Sequence, residues 1–274
     1  MAITTMDGLA AAVAASQDMV LQKASALTSV AAFWYSLFAE AGNPAAGTLT
    51  IGNTANGVVP TDNTAGAAII NPFTGANTGY LAAIRASATA TQTLVLYDRI
   101  FHSGSYATTP TGTTTLSSQP SFSGRVQDGT DFGGCEIWLE INTAIAASAV
   151  TIQVGYQDGT AAGGAAQTTT VTASLSGYPT KRMIQLGMAN GSGVQRINSF
   201  IVGGTAAATG SINVVVVRKI ATMPIMVANL GAATQDFFAL GGQLVFADSC
   251  LCLMSLATGT ALGTIVGDCQ IING

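Results

Sequence analysis

The sequence predicts a mainly β protein: an antiparallel β-sandwich or jelly-roll-like core with an N-terminal helical segment. Three observations carry this expectation. Short β-rich runs recur at roughly regular spacing between residues 94 and 220, with no helical pattern between them. Several of these runs alternate apolar and polar side chains, the period of a strand with one covered face. The first forty residues instead carry apolar residues at helical spacing and a concentration of large aromatics.

Thr4 or Thr5 can cap a helix, with Asp7 in the first turn to complement the helix dipole. Met6, Ala10, Val13, Val20, Ala24 and Leu27 then fall near one helical stripe, opposite Ser16, Asp18 and Lys23. Phe33, Trp34, Tyr35, Leu37 and Phe38 follow, and Glu40, Gly42, Asn43 and Pro44 supply a stop. Residues 1–44 are thus expected to form an N-terminal helical arm. It either docks on a neighbouring subunit or lies across the end of its own β domain.

Residues 45–226 are expected to form the β-sandwich core. Within it, 48–90 are mostly Thr, Ala, Gly and Asn, a composition that predicts loops and short strands, punctuated by Pro60 and Pro72. Strands are expected at 94–101, 135–141, 150–156, 168–175, 181–186, 194–202 and 211–220. Cys135, Ile137, Leu139 and Ile141 should share a face opposite Glu136, Trp138 and Glu140. Val150, Ile152, Val154 and Tyr156 should oppose Thr151 and Gln153. The unbroken run Val214–Val217 predicts a central strand covered on both sides. Residues 227–274 read as a C-terminal apolar β extension or arm, with 235–240 and 244–256 strongly apolar and 259–267 small and flexible. Such a tail either augments a neighbour's sheet edge or closes its own domain.

Composition points away from several functional classes. Hydrophobic residues make up 49% of the chain, whereas Asp, Glu, Lys and Arg together reach only 8%, against about 25% in ordinary soluble domains. The surface must then be built from neutral hydroxyls, amides and small residues, which cost far less to desolvate than ions. That suits broad permanent contacts, since interface cores are depleted of charge. A net charge of −4 with scattered cations argues against a nucleic-acid partner. The adjacent pairs Lys181-Arg182 and Arg218-Lys219 are expected at solvated strand ends. No membrane or targeting segment is expected: the N-terminus lacks a basic region, and the apolar stretch 244–256 is too short for a span of about 20 residues.

The catalytic inventory is thin, and no enzyme activity is expected. His102 is the single histidine, in Tyr97-Asp98-Arg99-Ile100-Phe101-His102-Ser103. An extended strand does not bring Asp98, His102 and Ser103 within triad reach. Glu136 and Glu140 form the best carboxylate pair, but four residues of strand separate them by about 13 Å, beyond the roughly 5–9.5 Å of glycosidases. A sugar-binding Glu–Trp–Glu face around Trp138 is the weaker alternative to an ordinary exposed strand face. The Gly-rich stretches 159–164 and 187–193 lack the Lys-Ser/Thr of a phosphate loop. Asp128 and Asp131 lack the other ligands of an EF-hand. Cys135, Cys250, Cys252 and Cys269 lack zinc spacing, so neither metal nor cofactor is expected. Buried free thiols fit them best, with a Cys252–Cys269 bridge as the alternative. The candidate interface residues are Val13, Val20, Leu27, Phe33, Trp34, Tyr35, Leu37 and Phe38, with Phe237 and Phe238 in the tail.

The stretch 96–104 (LYDRIFHSG) resembles segments of virion structural proteins of tailed bacteriophages, as do 135–141 (CEIWLEI), 194–201 (VQRINSFI) and 218–225 (RKIATMPI). The resemblance covers roughly residues 94–226 and includes no ligand motif. It implies a particle component, most like a capsid decoration or cement protein. Such a protein is a homo-oligomer, a trimer among the options, and binds major capsid or other virion proteins. Its location would be the virion, assembled in the host cytoplasm. A tail-tube, collar or head-fibre protein is the nearest alternative, and a carbohydrate-binding β domain is one from a different class.

Overall fold

The computed structural model describes residues 3–24, 27–73, 78–109, 112–146, 150–159, 166–173, 175, 177–188, 193–203 and 209–273, without the side chains of 170–173. In chain order the elements are α1 (Met6–Ala14), β1 (Gln17–Ala24), β2 (Trp34–Ser36), β3 (Gly42–Asn43), β4 (Thr78–Ala88), β5 (Gln92–Ala107) and β6 (Gly112–Thr115). A 3-10 turn (Ser123–Arg125) precedes β7 (Cys135–Thr143), β8 (Val150–Asp158), β9 (Ala166–Ala173), β10 (Arg182–Gln185), β11 (Val194–Gly203) and β12 (Ser211–Ile225). The chain finishes with β13 (Ala233–Asp236), α2 (Phe237–Leu240), β14 (Leu244–Phe246), β15 (Leu251–Ala257) and β16 (Thr264–Asn273). The protein is mainly β, its strand pairs are antiparallel, and a helix leads the chain, as expected.

Two compact units divide the chain. One comprises Met1–Thr48, Thr61–Asp98 and Lys219–Gly274, and the other Leu49–Pro60 and Arg99–Arg218. The long strands β5 and β12 contribute residues to each.

In the first unit, β13-β4-β16-β1-β3 form one sheet, with β14 also paired to β4. Here β15 pairs with β2 and with residues 92–98 of β5. Leu21, Leu81, Ile84, Leu94, Leu253, Ile265 and Ile271 are among its fully enclosed core residues, and each contributes about 1.5–3 kcal/mol of burial. The tail is thus built into the unit, because β16 lies between β4 and β1, paired to β1 in unbroken register and to β4 with one irregularity between Gln270 and Ile271.

The expected N-terminal arm is corrected here. Thr5 does cap α1, its Oγ1 accepting from Gly8 N at 3.0 Å, but the helix ends at Ala14. Residues 17–24 then alternate exposed and buried as a strand. Eight residues of pairing with β16 outweigh the helical stripe that sequence periodicity suggests. That stripe faces out: Met6, Val13 and Val20 are exposed, and the core instead takes Met19 and Leu21. Lys23 also points inward, where Nζ donates to the carbonyls of Glu40 (3.1 Å) and Pro44 (2.7 Å). Burial lowers its pKa, opposed in part by Cys252 and Glu40.

The second unit is a sandwich. One sheet runs β6-β11-β8-β9, and facing it are β10, β7 and residues 211–218 of β12. Ile137, Leu139 and Ile141 of β7 and Val214 and Val216 of β12 pack with Ile152, Val154 and Tyr156 of β8 and Phe200 of β11. Tyr106 and Phe200 stack at 4.1 Å. As expected, β8 alternates, with Thr151 and Gln153 only half-buried, and Val214–Val217 is covered on both faces.

Strand β7 departs from expectation. Trp138 and Glu140 on its second face are as buried as the core residues, because that face is covered as well: Glu140 meets the Arg99 guanidinium of β5 there. Arg182, expected at a solvated end, is buried with its guanidinium 3.5 Å above the Tyr178 ring. Residues 78–88, expected as loops and short strands, form the long strand β4, because long-range pairing with β16 on one edge and with β13 and β14 on the other outweighs weak local strand preference. Residues 237–240 form a helical turn capped by Asp236, whose Oδ1 accepts from Ala239 N.

Candidate functional site: a buried polar cluster and an exposed apolar surface

The densest collection of potentially catalytic side chains lies in the second unit. Residue 99 of β5 places a guanidinium against Glu140 of β7: Nη2 donates to Oε1 at 2.6 Å and Nη1 to Oε2 at 2.9 Å. His102 Nδ1 lies 2.9 Å from Arg99 Nη1. Because guanidinium only donates, Nδ1 is the acceptor and the ring proton sits on Nε2. Asn213 of β12 stands opposite Glu140 in the strand register, and its Nδ2 donates to the Leu49 carbonyl at 2.6 Å. The backbone of His102 exchanges both hydrogen bonds with Val58. The Gly104 backbone lies against Asn213, where a side chain would collide with the amide oxygen at 2.3 Å and φ is +143°. Arg99, His102, Glu140 and Asn213 are all fully enclosed.

Electrostatics fix the state of this cluster. Burial, reinforced by the Arg99 cation, pushes the His102 pKa down to about 3, against smaller opposing effects from Glu140, the Leu49 carbonyl and Asn213. A neutral imidazole with no solvent access serves as an acceptor for Arg99 rather than as a general base at neutral pH. The linkage sign follows. The unfolded chain binds a proton near pH 6.5 and the folded chain does not until about 3. Stability from this group is therefore complete above the unfolded pKa and is lost as pH falls toward the folded one. Below about pH 6, one such proton costs about 1.4 kcal/mol per pH unit. Urea titrations between pH 7 and 5 should show this slope in the wild type and a smaller one in His102→Gln. Equal slopes would show that the histidine is already charged in the fold.

The other candidate chemical groups are separated or enclosed. Ser103 Oγ accepts from Tyr106 OH (3.1 Å), and Asp98 Oδ2 accepts from Ser249 Oγ (2.9 Å). The Glu136–Trp138–Glu140 face cannot stack on a sugar. Trp138 has no exposed surface, and its Nε1 donates to Glu136 Oε2 at 2.9 Å. All four cysteines are buried thiols outside any disulfide, and Cys250 and Cys252 hold their sulfurs 3.8 Å apart. Burial pushes the Cys269 thiol up to about 12. Among the described residues no group of three or more His, Cys, Asp or Glu is placed to hold a metal ion. No described helix is long and apolar enough to cross a membrane. Residues 160–164 and 189–192, within the two Gly-rich stretches, lie outside the described residues.

The ten expected interface residues separate into three groups. Tyr35, Leu37 and Phe38 are core residues of the first unit, so they are not available as a free surface. Leu27, Trp34 and Phe237 are half-buried. Val13, Val20, Phe33 and Phe238 are exposed, Phe238 at 69%. The geometry adds residues that sequence periodicity missed: Met226, Val227 and Leu230, in the connection from β12 to β13, are exposed at 78%, 55% and 62%. Their signal in the sequence was an apolar run containing Pro224 and Gly231, a turn composition that carries no periodicity.

No family model matches the chain, and no curated protein matches it. Among solved structures, it is similar to the crystal structure of the infectious bursal disease virus VP2 subviral particle. That alignment covers 94% of this chain and 80% of that one, at 10% identity and a TM-score of 0.19. At that score the likeness supports no argument about mechanism or partners.

Proposed function

We propose that this protein is a non-enzymatic structural component of a tailed-phage particle, a decoration or cement protein that bridges neighbouring capsid subunits. The observation that carries the reading is the apolar surface of a chain with little charge. Met226, Val227, Leu230 and Phe238 project from one stretch of the first unit, and Met6 and Val13 from α1. Exposed apolar side chains that follow one another along a short stretch of chain suit a contact surface. Only 8% of the chain is charged, so little ion desolvation opposes their burial. Many modest contacts across capsomer joints then sum to lock a lattice. Homo-oligomers, trimers included, fit the same chemistry, and the resemblance of 96–104 and 135–141 to phage virion proteins supplies the particle.

A truncation test must respect the fold. Removing residues 1–44 would delete β1, β2 and β3 from the first unit, whereas removing 1–15 deletes α1 alone. The sharper test is the double variant Met226→Glu, Leu230→Glu, whose side chains are exposed and whose folding should be undisturbed. Co-sedimentation with phage heads assembled without the native protein should fall at least about tenfold for a buried hot spot. Full occupancy by the variant, with an unchanged far-UV circular dichroism spectrum, would overturn the assignment of this surface.

A further inference from the structure

We propose that the free edge of β1, together with the cleft beside it, is a docking groove that takes an extended basic segment of a partner protein as an added strand. The proposal deepens the assembly reading by naming the chemistry of the partner.

The hydrogen-bond parity of β1 identifies the open positions. Its odd residues face β16, and its even residues face the β3 side, since Ala24 N donates to the Ala41 carbonyl. β3 pairs only with Gln22 and Lys23. In this register Ala45 would be the next to meet Val20, but among the described residues the pairing stops at Asn43. The lane that β3 leaves runs past Asp18 and Val20. The Val20 carbonyl is taken by Asn43 Nδ2 at 2.9 Å, and the far end is closed by Gln17, whose amide exchanges two hydrogen bonds with the Asn71 backbone. Among the described residues, the Asp18 N–H and C=O and the Val20 N–H have no strand partner. Such an edge is a template for β-augmentation.

A cleft of about 600 Å³ lies along these groups, bordered by Asp18 to Val20, by residues 43–45 and by residues 62–69. Val20 and Ile69, exposed at 55% and 72%, stand at its rim and offer apolar contact to alternate side chains of an inserted strand. The charge is one-sided. Asp18 and Asp62 are the carboxylates of the lining, and no lysine or arginine borders it. Asp62 is committed to Asn63 and to the Ile70 N–H, which leaves Asp18, on the open edge, to meet a cation. This chain has a net charge of −4, so a basic segment of a different protein complements the groove better than a second copy does.

The test uses the purified full chain and a fluorescein-labelled, end-blocked peptide of alternating lysine and valine, with a glutamate–valine peptide as control, read by anisotropy. The lysine peptide should bind at least about tenfold more tightly than the glutamate peptide. Val20→Pro removes only the uncommitted edge N–H, a substitution that edge strands tolerate, and should abolish that binding with an unchanged far-UV spectrum. Asp18→Lys, which leaves the backbone edge intact, should invert the charge preference. Equal binding of both peptides, or binding indifferent to Val20→Pro, would overturn the proposal. So would self-association that Val20→Pro removes, because a second copy would then be the occupant. A protein that fails here yet still loads onto phage heads would sink the groove alone; one that binds the peptide yet never loads would sink the particle reading alone.

Discussion

Glu140→Ala is expected to destabilise the second unit by about 3–5 kcal/mol, because it strands the Arg99 guanidinium in a fully enclosed site. Both carboxylate oxygens accept from Arg99, and both side chains have zero exposure. With both side chains at zero exposure, bulk water does not reach the space the carboxylate leaves, and neutral His102 offers one acceptor nitrogen. Guanidinium does not escape by deprotonating, so the penalty falls on folding. The pair itself contributes much less than the cost of breaking it, since desolvation offsets most of its attraction. The double variant Arg99→Met, Glu140→Leu should therefore recover most of the loss. Urea denaturation at neutral pH measures both. A cost below about 1 kcal/mol for Glu140→Ala, the range of exposed pairs, would mean that water reaches the cluster.

Trp138→Ala is the second large effect, about 3–5 kcal/mol from lost contacts and the cavity left behind. Trp138 is the largest fully enclosed side chain among the described residues. Its indole N–H also donates to Glu136, which retains a contact from Gln185 Nε2 at 3.0 Å. Trp138→Phe should cost distinctly less, because it keeps most of the apolar volume. The sequence contains two tryptophans, and Trp34 is only half-buried. Loss of Trp138 should thus remove the blue-shifted part of the emission. A stable, unshifted Trp138→Ala protein would contradict the enclosure of this face.

These two variants address a face that alternation alone misassigned. In 135–141 the pattern of Cys, Ile, Leu and Ile against Glu, Trp and Glu is the signature of a half-wet strand. Polar side chains belong on a wet face unless partners await them, and the partner of Glu140 lies 41 residues away on β5. Nothing local in the sequence announces that pairing. The same limit governs β1. Residues 17–24 fall at helical spacing, and a strand partner 240 or more residues away in sequence makes them a strand instead. By contrast, the alternation of β8 and the β-branched run of β12 were legible, because their environments match the period of their own residues. Of the candidate interface residues, Val13, Val20, Phe33 and Phe238 are exposed, whereas Tyr35, Leu37 and Phe38 lie in the core, since large apolar side chains are as suited to a core as to a contact.

By itself the sequence determined that this protein is mainly β and led by a capped helix, that its charge is sparse, and that its thiols lack metal spacing. Those properties depend on composition, on period and on residues within a few positions of one another. Only the tertiary structure decided that the helix stops at Ala14, that the tail closes a sheet between β1 and β4, and that Arg99, His102 and Glu140 form one enclosed cluster. It likewise left Asp18 and Val20 on an open edge. Each of these depends on contacts between residues far apart in sequence, where burial and pairing outweigh local preference.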